Sequence, residues 1–322
     1  MTTHLFVHIP KTAGTSFRLA VADAIGADKI EYDYGESALE TTELVRRHVY
    51  GEQDFWAFYK ACERNGVRMV AGHMNCDRYV AGFGAASIVT FVREPIQRIA
   101  SEYQHFVRHK NFSGSFRDFY KQPKMQNLLT RAFNKVPVWS AGFIGVTERY
   151  NESLQLLNSL TGLGLLEKRE NVGKRKLYQQ HEIGDAELHE LHHLNALDLR
   201  NYKRCLDIFE QRLLLSERGL AFTHGRLGQI TPQKISGSAW WFGERRDEPV
   251  MIEILVNGRV EGRVSATSFR PKLRSISVPR GGYVGFQLVI PLRDGDTVSC
   301  RVQETGQVLG EMSLDAGDAK GQ

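Results

Sequence analysis

Short apolar runs alternate with helical patterns over the first two thirds of the chain. Four runs have the length and the β-rich composition of buried strands, at residues 5–9, 67–71, 87–92 and 142–146. Each run is followed by a polar or glycine-containing turn and then by a helical pattern, most clearly at residues 12–25, 95–107, 148–160 and 185–215. This alternation predicts an α/β fold in which helices flank a mostly parallel sheet.

The pattern changes after Ser238. Five segments alternate or are β-rich, at residues 251–256, 263–266, 275–278, 284–290 and 297–303. Asn257-Gly258 and Asp294-Gly295 supply the residues that tight hairpin turns favour. We therefore predict two domains, an α/β domain over residues 1–230 and a small all-β, sandwich-like domain over residues 238–318, with a linker near residues 226–237.

Composition agrees with a folded protein of two domains. The 322 residues are 42% hydrophobic and 25% charged, and no stretch approaches the roughly 20 consecutive apolar residues of a membrane span. The first strand begins almost at the start of the chain, which leaves no room for a signal peptide and predicts a cytoplasmic protein. The four cysteines lack C-x-x-C spacing, so we expect buried thiols and neither disulfides nor a cysteine zinc site.

The positive charge is confined to the first part of the chain. From Ser238 onward there are 11 Lys and Arg against 11 Asp and Glu, so the net charge of +5 arises from 31 basic and 26 acidic residues before it. An excess of this size suits an anionic cofactor or substrate. It is too weak to indicate nucleic acid, because no basic stripe with interleaved aromatic residues accompanies it.

The stretch HIPKTAGTSF, residues 8–17, follows the first predicted strand. A strand, a glycine-containing turn and a helix together point backbone N–H groups at an anion. The usual triphosphate loop, G-x-x-x-x-G-K-[ST], does not fit, because Lys11 precedes Gly14. The stretch therefore predicts an anion site of another kind.

A second stretch, TFVREPIQRIASEYQHF, covers residues 90–106. Arg93 stands where the third predicted strand ends, and Ser101 lies about two helical turns beyond it. Both side chains can therefore face the sheet edge at which open α/β folds bind ligands. A guanidinium and a hydroxyl together suit a phosphate monoester.

These two stretches resemble motifs of the sulfotransferases that use 3′-phosphoadenosine 5′-phosphosulfate (PAPS). The similarity is closest to the heparan sulfate 2-O-sulfotransferase-like branch and its bacterial relatives, and it covers most of residues 4 to about 215. It implies a P-loop-kinase-like fold and a metal-free transfer of a sulfuryl group to a carbohydrate hydroxyl. It places Arg93 and Ser101 on the 3′-phosphate. It places six residues around the 5′-phosphosulfate: Lys11, Thr12, Ala13, Gly14, Thr15 and Ser16.

The resemblance also gives a role to VAGHMN, since related enzymes use a Gly-His histidine as base. His73 follows the second predicted strand and should project from the carboxyl edge of the sheet. Its imidazole can take a proton from an attacking hydroxyl near neutral pH. Lys11 is the second catalytic candidate, because it can stabilise charge on the leaving phosphate. Some sulfotransferases use a carboxylate as base instead, and that alternative stays open.

Two further segments carry weaker predictions. In MQNLLTRAF, residues 125–133, relatives often have a glutamine where this chain has Leu129, while Arg131 is a candidate contact for an anionic saccharide. The basic loop NVGKRKLYQ, residues 171–179, supplies Lys174 and Arg175 as candidate nucleotide contacts.

The sequence leaves three other functions open. HELHH, residues 189–193, matches the H-E-x-x-H zinc peptidase pattern, but its helix is leucine-rich and no third ligand is specified. A nucleotide-dependent kinase would use the same fold with ATP and Mg²⁺. A saccharide-binding protein with a vestigial nucleotide site would not bind adenosine 3′,5′-bisphosphate, the end product of the sulfate donor.

Overall fold

The computed structural model describes residues 3–167 and 183–314. Contacts within the chain divide it into two units, Met1–Phe209 and Glu210–Gln322. The first unit therefore ends about twenty residues before the predicted boundary at residue 230.

The first unit contains a five-stranded, fully parallel sheet. Its strands are β1 (His4–Val7), β2 (Ile30–Asp33), β3 (Met69–Gly72), β4 (Ile88–Val92) and β5 (Phe143–Val146). They lie in the order β2-β3-β1-β4-β5, and Val7 of the central strand is level with Gly72 of β3 and Thr90 of β4. The predicted α/β class is confirmed, although β2 was not predicted. The carboxyl ends of β1, β3 and β4 meet at one edge.

Helices flank this sheet. They are α1 (Gly14–Ile25), α2 (Glu43–Val45), α3 (Phe55–Arg64), α4 (Val80–Phe83), α5 (Pro95–His109), α6 (Phe116–Tyr120), α7 (Leu128–Phe133), α8 (Tyr150–Thr161), α9 (Asp185–Leu194) and α10 (Ala196–Glu217), with a π-helical segment at Arg46–Gly51. The first three predicted helices are confirmed within two residues at each end. The fourth is interrupted at Asn195, whose amide nitrogen donates to the Leu191 carbonyl. None of the helices described in residues 3–167 and 183–314 combines the length and apolar character of a bilayer crossing.

Aromatic side chains form the core between the sheet and α1. Phe17 of α1 lies with its ring centroid 4.4 Å from that of Phe6 on β1 and 5.0 Å from that of Phe91 on β4. All three are fully buried. The apolar face of α1 thereby fixes the loop that joins it to β1. The four cysteines of the chain are free and buried, as predicted.

The second unit is an antiparallel β region. Its elements are β6 (Thr223–Thr231), β7 (Lys234–Trp241), β8 (Met251–Val256), β9 (Arg259–Ser265), β10 (Ser268–Phe269), α11 (Pro271–Arg274), β11 (Tyr283–Val289), β12 (Thr297–Val302) and β13 (Val308–Ser313). One sheet has the order β10-β11-β7-β6 and the other β13-β12-β8-β9. Buried side chains from both sheets, such as Trp241 and Phe286 with Ile252 and Val298, share one core.

Two predictions for the second unit are wrong. The predicted linker at residues 226–237 forms most of the hairpin of β6 and β7, in which Arg226 pairs with Ser238. The predicted strand at residues 275–278 is a turn after α11, and Ser277 has a φ of 52°, outside the extended region.

Candidate functional site

The loop between β1 and α1 has a fixed backbone. Lys11 and Ala13 adopt left-handed conformations, with φ values of 68° and 64°. Such conformations are costly outside glycine and persist where the surroundings enforce them. Here the buried Thr12 hydroxyl donates to the Ile9 carbonyl at 2.8 Å, and Arg93 Nη1 donates to the Lys11 carbonyl at 3.3 Å.

This loop leaves amide groups open at the start of α1. Ala13 is the N-cap and has no side chain that can cap the helix. Within the described part of the chain, the amides of Gly14 and Thr15 have no acceptor. A helix N-terminus with open amides favours an anion, because its dipole and its N–H groups act together. The structure thus brings the predicted loop residues, from Lys11 to Ser16, into an arrangement suited to a phosphate or a sulfate.

Gly14 makes room for the ring of His8. A Cβ atom on Gly14 would lie 2.0 Å from His8 Nε2. The His8 ring forms an edge contact with His73, with centroids 4.5 Å apart, and its Nδ1 lies 3.4 Å from the Tyr34 hydroxyl. The glycine is therefore needed to seat a histidine between the loop and β3.

We expect Gly14→Ala to destabilise the protein. The added methyl group must displace the His8 ring, and overpacking of this kind costs about 1–3 kcal/mol. The free energy of unfolding, measured in urea, should fall by about that amount. The matched control is Gly51→Ala, at the exposed end of the π-helical segment, where the described atom nearest to an added Cβ is the Arg46 carbonyl oxygen at 3.4 Å, an ordinary van der Waals contact. An unchanged urea midpoint in Gly14→Ala would show that the His8 ring is not held as described.

His73 lies directly after β3, where the sequence placed it. Its amide donates to the Asp33 carbonyl at 3.1 Å, and its ring centroid is 4.9 Å from that of Tyr34. Although part of the residue is exposed, desolvation by surrounding protein lowers the pKa of the imidazole, and the charge of Arg18 acts in the same direction. His73 is therefore neutral at neutral pH and able to accept a proton.

His8 is held neutral beside it. Burial, followed by the influence of His73, Arg18 and Lys11, lowers the pKa of His8 to about 3. Two protonated imidazoles at this distance would repel each other, whereas two neutral rings pack without cost. His8 was not predicted as a site residue, although its position directly after a buried strand was a signal for it.

Two half-buried cations face this edge of the sheet. Lys11 Nζ has no hydrogen bond or ion pair within the described residues, and Arg93 makes only the bond to the Lys11 carbonyl there. Burial lowers the pKa of Lys11, an effect that the charge of Glu102 opposes, and burial also lowers the pKa of Arg93. A cation withdrawn from water without a partner is unfavourable. Lys11 and Arg93 thus form a site that an anion would stabilise.

Helix α5 contributes three buried polar side chains, Arg98, Ser101 and Glu102. Ser101 is buried, and its hydroxyl has no partner among the described residues. Arg98 donates from Nη2 to the Met125 carbonyl at 2.9 Å, while its Nε and Nη1 are unpaired in the described part of the chain. Arg98 and Arg93 border the same small enclosed space beside Thr12. Arg98 was not predicted from the sequence, and the signal for it was a charged residue on the apolar face of α5.

A larger cavity opens beside His73. Its volume is about 450 Å³. It is lined by Asp33, Tyr34, Gly35, Tyr50, His73, Met74, Asn75, Asp77 and Arg78. None of these except His73 was predicted, because they come from β2, the π-helical segment and the turn after β3. The imidazole of His73 therefore borders both the loop that holds Lys11 and an open polar cavity.

Asp33 organises one wall of this cavity. Its buried carboxylate accepts hydrogen bonds from the Tyr50 hydroxyl at 2.6 Å, Arg78 Nη1 at 2.9 Å, the Tyr79 hydroxyl at 2.7 Å and the Gly35 amide at 3.2 Å. These four donors occupy the lone pairs that a carboxylate offers. Asp33 is consequently a structural anion, and His73 is the cavity residue better placed to accept a proton.

Of the two remaining segments with predicted contacts, the structure describes residues 125–133 and not residues 171–179. Arg131 is exposed on α7 and donates to the Lys124 carbonyl, and it is not among the described residues that line the cavity. Leu129 is buried, and its amide donates to Asp198 at 3.0 Å. Lys174 and Arg175 lie outside the described residues.

The H-E-x-x-H segment takes part in a surface ion-pair network. Glu190 on α9 binds Lys121 at 2.9 Å, Arg117 at 3.2 Å and the Tyr120 hydroxyl at 2.8 Å. The hydrogen bond from Lys121, followed by that from Tyr120, lowers the pKa of Glu190 to about 2. Within the described ranges, no three His, Cys, Asp or Glu residues are grouped as metal ligands would be. Glu190 therefore has a structural role between α6 and α9.

Comparison with protein-family models, with curated proteins and with solved structures found no match to this chain.

Proposed function

We propose that this chain is a PAPS-dependent carbohydrate O-sulfotransferase of the family that its two motifs resemble. Its first unit would be a P-loop-kinase-like domain, with the anion loop after the central strand. The two sheets of its second unit would form a sandwich, since their buried side chains share one core. We place PAPS against the carboxyl edge of the parallel sheet.

The observation that carries the proposal is a pair of half-buried cations near the start of α1, Lys11 and Arg93, which have no ion-pair partner among the described residues. Lys11 and the open amides of Gly14 and Thr15 suit the 5′-phosphosulfate, together with Thr12, Ala13 and Ser16. Arg93 and the hydroxyl of Ser101 suit the 3′-phosphate. The loops after β1 and β4 leave the sheet in opposite directions, and open α/β sheets bind ligands at such a reversal of strand order.

The proposed reaction is an in-line displacement at sulfur. The acceptor oxygen forms a bond to sulfur while the bond from sulfur to the bridging oxygen breaks, and the electron pair of that bond leaves with the phosphate. His73 takes the proton of the acceptor hydroxyl. Lys11 and the loop amides stabilise the negative charge that develops on the bridging oxygen and on the sulfonate.

Binding of adenosine 3′,5′-bisphosphate is the direct test. Isothermal titration calorimetry should show that the bisphosphate binds at least tenfold more tightly than ADP with Mg²⁺, because only the bisphosphate meets the 3′-phosphate site. Binding of ATP with Mg²⁺ and phosphoryl transfer, without binding of the bisphosphate, would indicate a kinase. If neither nucleotide binds, a saccharide-binding protein with a vestigial site becomes the better proposal.

Lys11→Ala should reduce turnover more than it weakens bisphosphate binding. The bisphosphate lacks the sulfonate, so the contribution of the lysine is concentrated in the transition state. Loss of one preorganised donor lowers turnover by about a hundredfold or more. The measurement is transfer from PAPS to a saccharide panel, beside calorimetry with the bisphosphate. Lys60→Ala, an exposed lysine paired with Glu63, is the control. Equal losses in binding and turnover would contradict this role.

A further inference from the structure

The residues that line the cavity beside His73 bear on which kind of sugar acceptor could bind there. We propose, on the premise that the chain is a sulfotransferase, that this cavity binds an uncharged saccharide whose hydroxyl groups are recognised by Asn75, Asp77 and Arg78. The volume of about 450 Å³ lies within the range of roughly 300–1,000 Å³ that small-molecule sites occupy. His73 lines the same cavity, so one hydroxyl of a saccharide bound there faces the imidazole.

The charge of the lining disfavours an anionic acceptor. Arg78 is the one Lys or Arg among the described residues that line the cavity, and its Nη1 is paired with the buried carboxylate of Asp33 at 2.9 Å. This pairing neutralises the guanidinium. Asp77 adds a further carboxylate, so the described lining carries a net negative charge. A carboxylate or sulfate on the acceptor would be repelled here, whereas a neutral sugar would not.

The hydrogen-bonding groups of the lining match hydroxyls. The exposed carboxamide of Asn75 and the Nε and Nη2 atoms of Arg78 have no partner in the described part of the chain. One oxygen of Asp77 accepts from Asn134 Nδ2 at 2.6 Å, and the other oxygen has no partner among the described residues. Free donors and free acceptors thus stand side by side. A hydroxyl both donates and accepts, so it can satisfy either kind of group.

Two tyrosines complete the match to a sugar. Tyr34 and Tyr50 are half-buried in the cavity wall, and Tyr50 is held by hydrogen bonds to Asp33 and Arg78. Such rings offer an apolar face with a polar end. A pyranose presents C–H groups on its faces and hydroxyls around its rim, and this cavity offers partners for both.

The test uses matched pairs of acceptors that differ only in charge. Gluco-, galacto- and mannuronate oligosaccharides are compared with their uncharged uronamides, which lack the C6 hydroxyl in the same way, with PAPS as donor. We expect kcat/KM to be at least tenfold higher for the neutral member of the preferred pair. Asp77→Asn keeps the size of the side chain and removes its charge. The ratio of kcat/KM for the neutral acceptor to kcat/KM for the charged acceptor should therefore fall about tenfold. Asp28→Asn, at an exposed carboxylate paired with Lys29, should leave the preference unchanged.

Binding of the bisphosphate and saturation-transfer NMR of the oligosaccharides distinguish a failure of this inference from a failure of the proposed function. If the bisphosphate binds but the uronates are better acceptors, or Asp77→Asn leaves the preference unchanged, the inference is overturned and the sulfotransferase proposal stands. If the bisphosphate does not bind, saturation-transfer NMR of the same oligosaccharides still tests the cavity. There we expect the neutral members to bind the wild-type protein more tightly and Asp77→Asn to lose that preference. Failure of every oligosaccharide to bind or react would also overturn the inference.

Discussion

His73→Ala should lower the rate of sulfuryl transfer by about 10²–10⁴-fold, the usual contribution of a positioned base. Its affinity for adenosine 3′,5′-bisphosphate should change little, because His73 lines the proposed acceptor cavity, whereas the proposed phosphate contacts come from the β1–α1 loop, Arg93 and Ser101. Turnover of PAPS with the best saccharide acceptor and calorimetry with the bisphosphate measure the two effects separately.

The pH profile gives an independent readout of the same residue. Desolvation, and after it the charge of Arg18, lowers the pKa of His73, so the neutral form predominates at neutral pH. The wild-type rate should therefore fall as the pH decreases through this lowered pKa, with a slope of one proton. His73→Ala should lose this acidic limb, while His192→Ala, at an exposed position on α9, should keep it. A fully active His73→Ala with an unchanged profile would point to a carboxylate base.

The strands that carry the site loops were predictable because they are buried on both faces. Leu5, Val70 and Val89 belong to continuous apolar runs, which stand out from the chain around them. Strand β2 escaped prediction because two of its four residues are the acidic Glu31 and Asp33. A buried aspartate breaks the apolar pattern, and its role is visible only once its partners are known.

Those partners lie far from Asp33 in the sequence. Tyr50 is 17 residues away, and Arg78 and Tyr79 are 45 and 46 residues away. No local pattern relates them, because the π-helical segment and the turn after β3 meet only in the folded chain. The motifs thus predicted the loop residues and His73 at the carboxyl edge of the sheet, while the cavity beside His73 required the structure.

The glycine residues near residues 226–237 account for the incorrect prediction of a linker there. The stretch around β6 and β7 contains Gly225, Gly228 and Gly237, which are typical of a flexible connection. In the structure a Cβ on Gly237 would lie 2.2 Å from Phe286 Cζ, so this glycine admits an aromatic ring to the core. Gly14 and His8 show the same relation. Composition alone does not distinguish a glycine that frees the backbone from one that makes room for a ring.

Arg93→Ala should weaken binding of adenosine 3′,5′-bisphosphate by about 30- to 4,000-fold. The estimate follows from the loss of about 2–5 kcal/mol when one partner of a buried, hydrogen-bonded charge pair is removed. Arg93 is half-buried, and all but one of its N–H groups have no acceptor within the described residues, so a phosphate would be its main partner. Calorimetry with the bisphosphate and with adenosine 5′-monophosphate measures the effect and its specificity.

The affinities for these two nucleotides distinguish a direct contact of Arg93 with the 3′-phosphate from an indirect effect of Arg93 on the loop that holds Lys11. Arg93 also donates to the Lys11 carbonyl, so its loss can disturb the left-handed backbone at Lys11 and weaken both nucleotides equally. A 3′-phosphate contact instead predicts that the bisphosphate loses far more affinity than the monophosphate. Ser101→Ala should also weaken binding of the bisphosphate more than binding of the monophosphate, but by a smaller factor. Arg117→Ala, in an exposed ion pair with Glu190, should leave the affinity for both nucleotides unchanged. An equal loss for both nucleotides would move the 3′-phosphate site away from Arg93 and leave this residue as a support for the loop.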